Sequence, residues 1–229
     1  MPRGKLIVID GIDGSGKATQ AELLAQTLEL EGYKVVSISF PQYESKSSGP
    51  LEQYLAGEYG YVKPEATSIL YAVDRFDASN KIKQALESGA MVIADRYVTA
   101  NAGHQGAKIA DQSERVKFYR WLDNLEYGIF ESPKPDLNII LHMPAVVAQQ
   151  LIQARDKNPE TMKPKGAKVL LENLQVTEQI YLEIASLFPN MKTIECVDGK
   201  RLLTPKDISN KVWEMVSRVA LKNSFPTNL

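Results

Sequence analysis

Cysteine is almost absent. Cys196 is the only one in 229 residues, so no disulfide can form within the chain. That usage fits a reducing compartment. Cys196 lies in an apolar run and reads as a small buried hydrophobe rather than a reactive thiol. Histidine is as scarce, with two residues, His104 and His142. They are far apart, no metal-ligand spacing contains them, and a polar-loop or core role is expected of each. Neither sign of charge dominates: 27 Lys and Arg face 28 Asp and Glu, for a net charge of −1. A global basic surface is therefore missing, which argues against a nucleic-acid partner held through its phosphates. Long apolar runs are missing too, so no membrane partner is expected. Met1-Pro2-Arg3-Gly4-Lys5 leads into a predicted strand without an apolar leader, and a cytoplasmic setting is the expectation.

What is present is an ordinary globular composition, 44% hydrophobic and 24% charged. One domain over residues 1–229 is the simplest organisation. Apolar runs predict five strands: 5–10, 34–40, 91–94, 137–143 and 191–197. Helical signals predict helices over about 16–31, 51–56, 64–88, 113–127, 144–155, 168–187 and 204–221. In the first of these, Ala21, Leu24, Ala25 and Leu28 form a stripe at helical spacing. Residues 96–112 carry Asn, Gly, His and Gln and read as an active-site segment. Strands alternating with helices, each strand a continuous apolar run, describe an α/β fold with a parallel sheet covered on both faces. Ligands in such folds bind beyond the carboxyl ends of the strands, where Asp10, Phe40, Asp95 and His142 fall.

The most informative segment is Gly11-Ile12-Asp13-Gly14-Ser15-Gly16-Lys17-Ala18, directly behind Leu6-Ile7-Val8-Ile9. Strand, glycine turn and helix in that order build a phosphate cradle. Glycines let successive N–H groups point into one concavity, the helix start adds free donors, and Lys17 can reach a β/γ-phosphate. The hydroxyl that usually follows the Lys is missing: Ala18 stands there and Thr19 comes one place late.

Asp95-Arg96-Tyr97 closes the third strand. Beside a phosphate loop, such an Asp can organise Mg²⁺ and such an Arg can fork onto a phosphate. An Asp–Arg ion pair is the structural alternative. Tyr71 and Arg75 share one helix face and could stack on and hydrogen-bond a planar heterocycle. Taken alone, a surface tyrosine packed on the Arg75 stem is the simpler reading. Phe40-Pro41-Gln42-Tyr43 follows the second strand and is as readily a hydrophobic anchor. Arg155, Lys157, Lys163 and Lys165 surround a polar loop at about 156–167, either a solvated loop or a lid that neutralises phosphate charge.

Together these motifs resemble the thymidylate kinase family over nearly the whole chain: the phosphate loop, Phe40-Pro41 with Tyr43, Tyr71 with Asp74-Arg75, Asp95-Arg96-Tyr97 with Asn101 and Gln105-Gly106, Pro133-Lys134-Pro135-Asp136, and the lid. The resemblance implies a P-loop kinase fold with a lid loop, an enzyme moving the γ-phosphoryl group of ATP to dTMP, Mg²⁺ as cofactor with ATP, and a homodimer through helices such as 64–88 and 113–127. It implies that Gly11 to Thr19 and Arg155 bind ATP. It places dTMP against Asp13, Phe40, Tyr43, Tyr71, Arg75, Arg96, Asn101, His104 and Gln105. It assigns catalysis to Lys17, Arg96, Asp13, Lys157 and Lys163, and the metal to Asp95 and Asp13. Gly14 stands where one branch of the family has Arg, which implies the branch whose basic groups sit in the lid. Another nucleoside or nucleotide kinase, or a catalytically impaired relative, is the alternative. A GTPase is disfavoured, because Asn80-Lys81-Ile82-Lys83 lacks the Asp of a guanine-reading motif.

Overall fold

A computed structural model describes residues 3–43, 45–157, 170–188, 190–199 and 201–221. Strand β1 (Leu6–Asp10) is fully buried, and its neighbours β3 (Met91–Asp95) and β4 (Leu137–His142) are nearly so. Strands β2 (Val35–Ser39) and β5 (Met191–Glu195) form the edges. The order is β2-β3-β1-β4-β5, every pairing parallel. Successive side chains leave a strand on opposite faces. Ile7 and Ile9 accordingly join one core layer and Leu6 and Val8 the other. Both layers are covered, which is why the strands read as unbroken apolar runs.

One layer is closed by α1 (Lys17–Leu30), which contributes Leu24 and Leu28, and α8 (Pro205–Val219), which contributes Val212 and Val216. The α6 helix (Ala145–Lys157) adds Ala148 and Ile152 to it. The other layer takes Ile82 and Leu86 from α3 (Pro64–Glu87) and Phe118 and Leu122 from α5 (Gln112–Asp123). It also takes Ile180 and Ile184 from α7 (Leu171–Leu187). Two shorter helices, α2 (Gly49–Leu55) and α4 (Val98–Gly106), come after β2 and β3 in the chain.

Several elements depart from the sequence reading. Residues 96–112 contain helix α4, which was not expected. Its Gly103 permits close approach: a Cβ there would lie 2.7 Å from the Tyr181 ring of α7. The helix expected at 113–127 begins one residue earlier, at Gln112, and is capped by Asp111, whose carboxylate accepts from the Glu114 N–H at 3.0 Å. It then widens into a π-helical turn at Asn124–Ile129. The last sheet strand ends at Glu195. Beyond it β6 (Val197–Asp198) and β7 (Arg201–Leu202) make a small antiparallel hairpin. Asp156 and Lys157, read as part of the lid, finish α6; Lys163, Lys165 and most of the lid lie outside the described residues.

Candidate active site

The turn after β1 carries glycines where side chains are strained, with φ of 145° at Gly11, 83° at Gly14 and 87° at Gly16. Among the described residues, the N–H groups of Asp13, Gly14 and Gly16 donate to no protein acceptor. They form a concavity of free donors before the first turn of α1. Gly14 has a second reason to be glycine. A Cβ there would stand 2.6 Å from the Ala148 carbonyl oxygen of α6, so no arginine fits this backbone. Lys17 is 6% exposed and donates to the Ile12 carbonyl at 2.8 Å. Burial, then the nearby Arg96 charge, pulls its ammonium down to about 8. Ala18 and Thr19 are both exposed on the first turn of α1.

Below the loop, the Asp10 carboxylate is fully buried. It accepts from the Tyr181 hydroxyl at 2.7 Å and the Gly11 N–H at 2.9 Å. Burial raises its pKa against these bonds. Asp10 and Tyr181 thus tie α7 to the base of the turn.

Arg96 sits at the end of β3 with φ 67°, a left-handed conformation rare outside glycine. Its Nη2 donates to Asp13 Oδ1 and its Nη1 lies 3.0 Å from His104 Nε2. A guanidinium only donates, so Nε2 is the acceptor and the imidazole is neutral with its proton on Nδ1. Burial, reinforced by Arg96, pushes His104 down to about 3, in agreement. Burial works to raise the Asp13 carboxyl, but Arg96 and then Lys17 outweigh it and hold its pKa well below the carboxylate range. Arg96 pairs across the strand ends with Asp13, not with its neighbour Asp95, so the Asp95–Arg96 pair considered from sequence is not formed. Asp95 Oδ1 is buried without a hydrogen-bond partner among the described residues.

A cavity of about 580 Å³ opens beside Arg96. Asp13, Phe40, Tyr43, Tyr71, Arg75, Asp95, Arg96, Asn101, His104 and Gln105 all line it. The structure thus gathers residues from four separate stretches of sequence into one wall. Phe40 is buried against the Tyr97 ring, centroids 5.6 Å apart. The Asn101 amide donates to the Ser68 carbonyl at 3.0 Å and leaves Oδ1 buried without a partner. Gln105 accepts from Lys108 at 2.7 Å. Burial pushes the Tyr71 phenol up to about 12, so it stays neutral. Tyr43 is 63% exposed at the rim.

Arg75 corrects an expectation. The reading of a surface tyrosine packed on its stem fails, because Arg75 is 2% exposed. Its Nε and Nη2 both donate to Glu126 Oε1, from Nε at 2.9 Å. Burial alone would lower its pKa; Glu126 more than compensates. Glu126 was missed from sequence. Its signal was there: it continues the buried stripe Phe118, Leu122 at steps of four, a charge where an apolar residue belongs. Tyr181 was missed for a like reason, as one aromatic among the apolar residues of α7.

On the loop's other side, Arg155 is half-buried on α6 and pairs with Asp156 at 2.8 Å, and Lys157 is exposed. Neither joins the cavity wall. His142 lies between two carboxylates, its Nδ1 2.7 Å from Glu195 and its Nε2 2.9 Å from Glu178.

A phosphate cradle at the end of a central parallel strand, with an adjoining cavity walled by an arginine, aromatics and amides, defines a P-loop kinase. Comparison with known proteins narrows the class. The thymidylate kinase family model matches residues 9–202, and the chain belongs to that family. It is 33% identical to a probable thymidylate kinase of Thermococcus gammatolerans over 83% of this chain and 88% of that one. It is 31% identical to the thymidylate kinase of Nitrosomonas europaea over 94% of each. The fold is that of the Candida albicans thymidylate kinase structure, with a TM-score of 0.68 at 24% identity over 94% of this chain and 92% of that one.

Proposed function

We propose that this chain transfers the γ-phosphoryl group of ATP to dTMP, giving ADP and dTDP. Family membership and the cavity beside the phosphate loop support the reading. The observation that carries it is Arg96: one guanidinium bridges the loop, through Asp13, and the cavity, beside His104. A phosphate bound there lies next to the loop that binds the donor.

In this reading the ATP phosphates rest on the N–H groups of residues 11–18 and on Lys17, with Thr19 flanking and Arg155 toward the adenine. The dTMP base lies against Tyr71 and Phe40, with Arg75, Asn101 and Gln105 at its polar edge and Tyr43 near the sugar. Its phosphate meets Arg96. An oxygen of that phosphate attacks the γ-phosphorus in line, the bond to the β–γ bridging oxygen breaks, and ADP departs. Positioning and charge neutralisation by Lys17 and Arg96 carry the rate, with Asp13 holding Arg96 in place. Lys157 and the lid residue Lys163 are proposed to add positive charge.

Mg²⁺ fits the site. The buried, unpartnered Asp95 Oδ1 is a hard oxygen donor, Asp13 is nearby, and Ala18 supplies none. When bound with ATP, the ion neutralises β- and γ-phosphate charge. A homodimer is proposed on α3, where Ile69, Val73 and Phe76 are exposed at helical spacing. Among the described residues no helix is long and apolar enough to cross a membrane, and a cytoplasmic setting is part of the proposal.

The test is coupled ADP release with ATP and each of dTMP, dUMP, dCMP, dGMP and dAMP, with chromatography of the product. The expected result is dTDP formation with the highest kcat/KM for dTMP. Rapid turnover of thymidine instead would move the chain to the nucleoside kinases.

A further inference from the structure

Arg75 and Glu126 form a buried pair whose geometry is poor for stability and good for aiming. Glu126 is 0% exposed and Arg75 2%. A carboxylate facing a guanidinium ordinarily uses both oxygens in a fork. Here both donated bonds land on Oε1, from Nε and Nη2, and Oε2 is buried without a partner among the described residues. Burying such a pair carries a desolvation cost, which a fork on both oxygens would offset better than one shared oxygen. The arrangement instead fixes one edge of the guanidinium. Nη1 makes no hydrogen bond to the described residues, and Arg75 lines the cavity beside Tyr71 and Asn101.

The support around the pair is local and rigid. The Glu126 carbonyl accepts from the Ser132 N–H at 2.9 Å, and the Ser132 hydroxyl meets Ser79 Oγ at 3.3 Å. Ser79 in turn donates to the Arg75 carbonyl at 2.9 Å. Glu126 is set within the π-helical turn Asn124–Ile129, a conformation enriched where a helix serves a site.

We infer that Glu126 is the positioning residue that holds Arg75 with one donor edge toward the acceptor's base, and so sets which base is accepted. The inference rests on the dTMP reading above. An edge that can only donate prefers a base presenting a carbonyl oxygen there, as thymine and uracil do, over cytosine, which presents an amino group. Without the Glu126 carboxylate the guanidinium loses its fixed orientation and that preference weakens.

The experiment compares wild type with Glu126→Gln and Glu126→Asp, using steady-state kinetics on dTMP, dUMP and dCMP and thermal melting to establish folding. For Glu126→Gln, KM for dTMP should rise roughly tenfold or more. The dTMP-over-dCMP ratio of kcat/KM should fall similarly, while KM for ATP stays within about twofold, since the loop is untouched. Glu126→Asp keeps the charge and shortens the reach, so it should fall between. On an Arg75→Gln background, Glu126→Gln should add no further loss of discrimination, because the effect passes through Arg75. An unchanged dTMP-over-dCMP ratio in a folded Glu126 variant overturns the inference, as does an additive loss in the double variant. If Glu126→Gln does not fold, Glu126→Asp decides by the same ratio. Wild-type protein that phosphorylates none of the three overturns the dTMP reading itself, a separate outcome.

Discussion

Asp13 and Arg96 join the turn after β1 to the end of β3 through a direct ion pair. Both residues line the cavity beside the phosphate loop. Arg96 holds a left-handed backbone, φ 67°, to make the pair. Such a conformation costs on the order of 1 kcal/mol or more outside glycine. Arg96→Lys keeps the charge and loses the fork that spans Asp13 and His104. Its KM for dTMP should rise by roughly tenfold or more, with a smaller change in KM for ATP. Equal changes for both nucleotides would separate Arg96 from the acceptor phosphate.

Lys17 is buried against the loop's own backbone. Lys17→Ala should reduce kcat by about a hundredfold or more, with circular dichroism showing the fold retained. Turnover near the wild-type rate would remove Lys17 from the proposed chemistry.

Gly14 is pinned from two sides, by φ 83° and by the Ala148 carbonyl. Gly14→Ala should lower stability in urea by roughly 1–3 kcal/mol from the backbone term alone. It should also weaken ATP binding, because α6 must shift or the loop must open. A variant with wild-type stability and ATP affinity would show that the loop and α6 are not in such contact.

His142 between Glu178 and Glu195 gives a pH-dependent contribution to stability. Burial lowers its pKa, but the two carboxylates outweigh it and the net direction is upward. A raised folded pKa stabilises the protein fully below the imidazole's ordinary value of about 6.5, and that stability is lost as pH climbs through the raised value. The stability gap between wild type and His142→Gln should therefore be larger near pH 6 than near pH 8.5, measured by urea unfolding. A gap that stays constant or widens with pH would contradict the assignment. Glu178 also accepts from the Ala145 N–H at 2.9 Å, so the cluster ties the start of α6 to α7.

Much of the fold was legible because its signals are local. The five strands show as apolar runs, and the loop at 11–18 as glycines between a strand and a helix. Helix α4 was not, because Gly103 and Gly106 argue against a helix while their reason, the Tyr181 and Tyr119 rings packed on them, is remote in sequence. The candidate cavity residues could be named but not their partners. That Arg75 is buried depends on a carboxylate 51 positions away. That Arg96 prefers Asp13 to its own neighbour depends on strand order.

The central claim is that residues 11–18 hold a triphosphate while the adjoining cavity holds a pyrimidine monophosphate. A crystal structure with dTMP and a non-hydrolysable ATP analogue tests it most directly. The account predicts the triphosphate against the loop N–H groups and Lys17, the monophosphate on Arg96, and thymine beside Tyr71 with a base oxygen facing Arg75. Thymine bound outside this cavity, or a loop bare of phosphate with both nucleotides present, would contradict it.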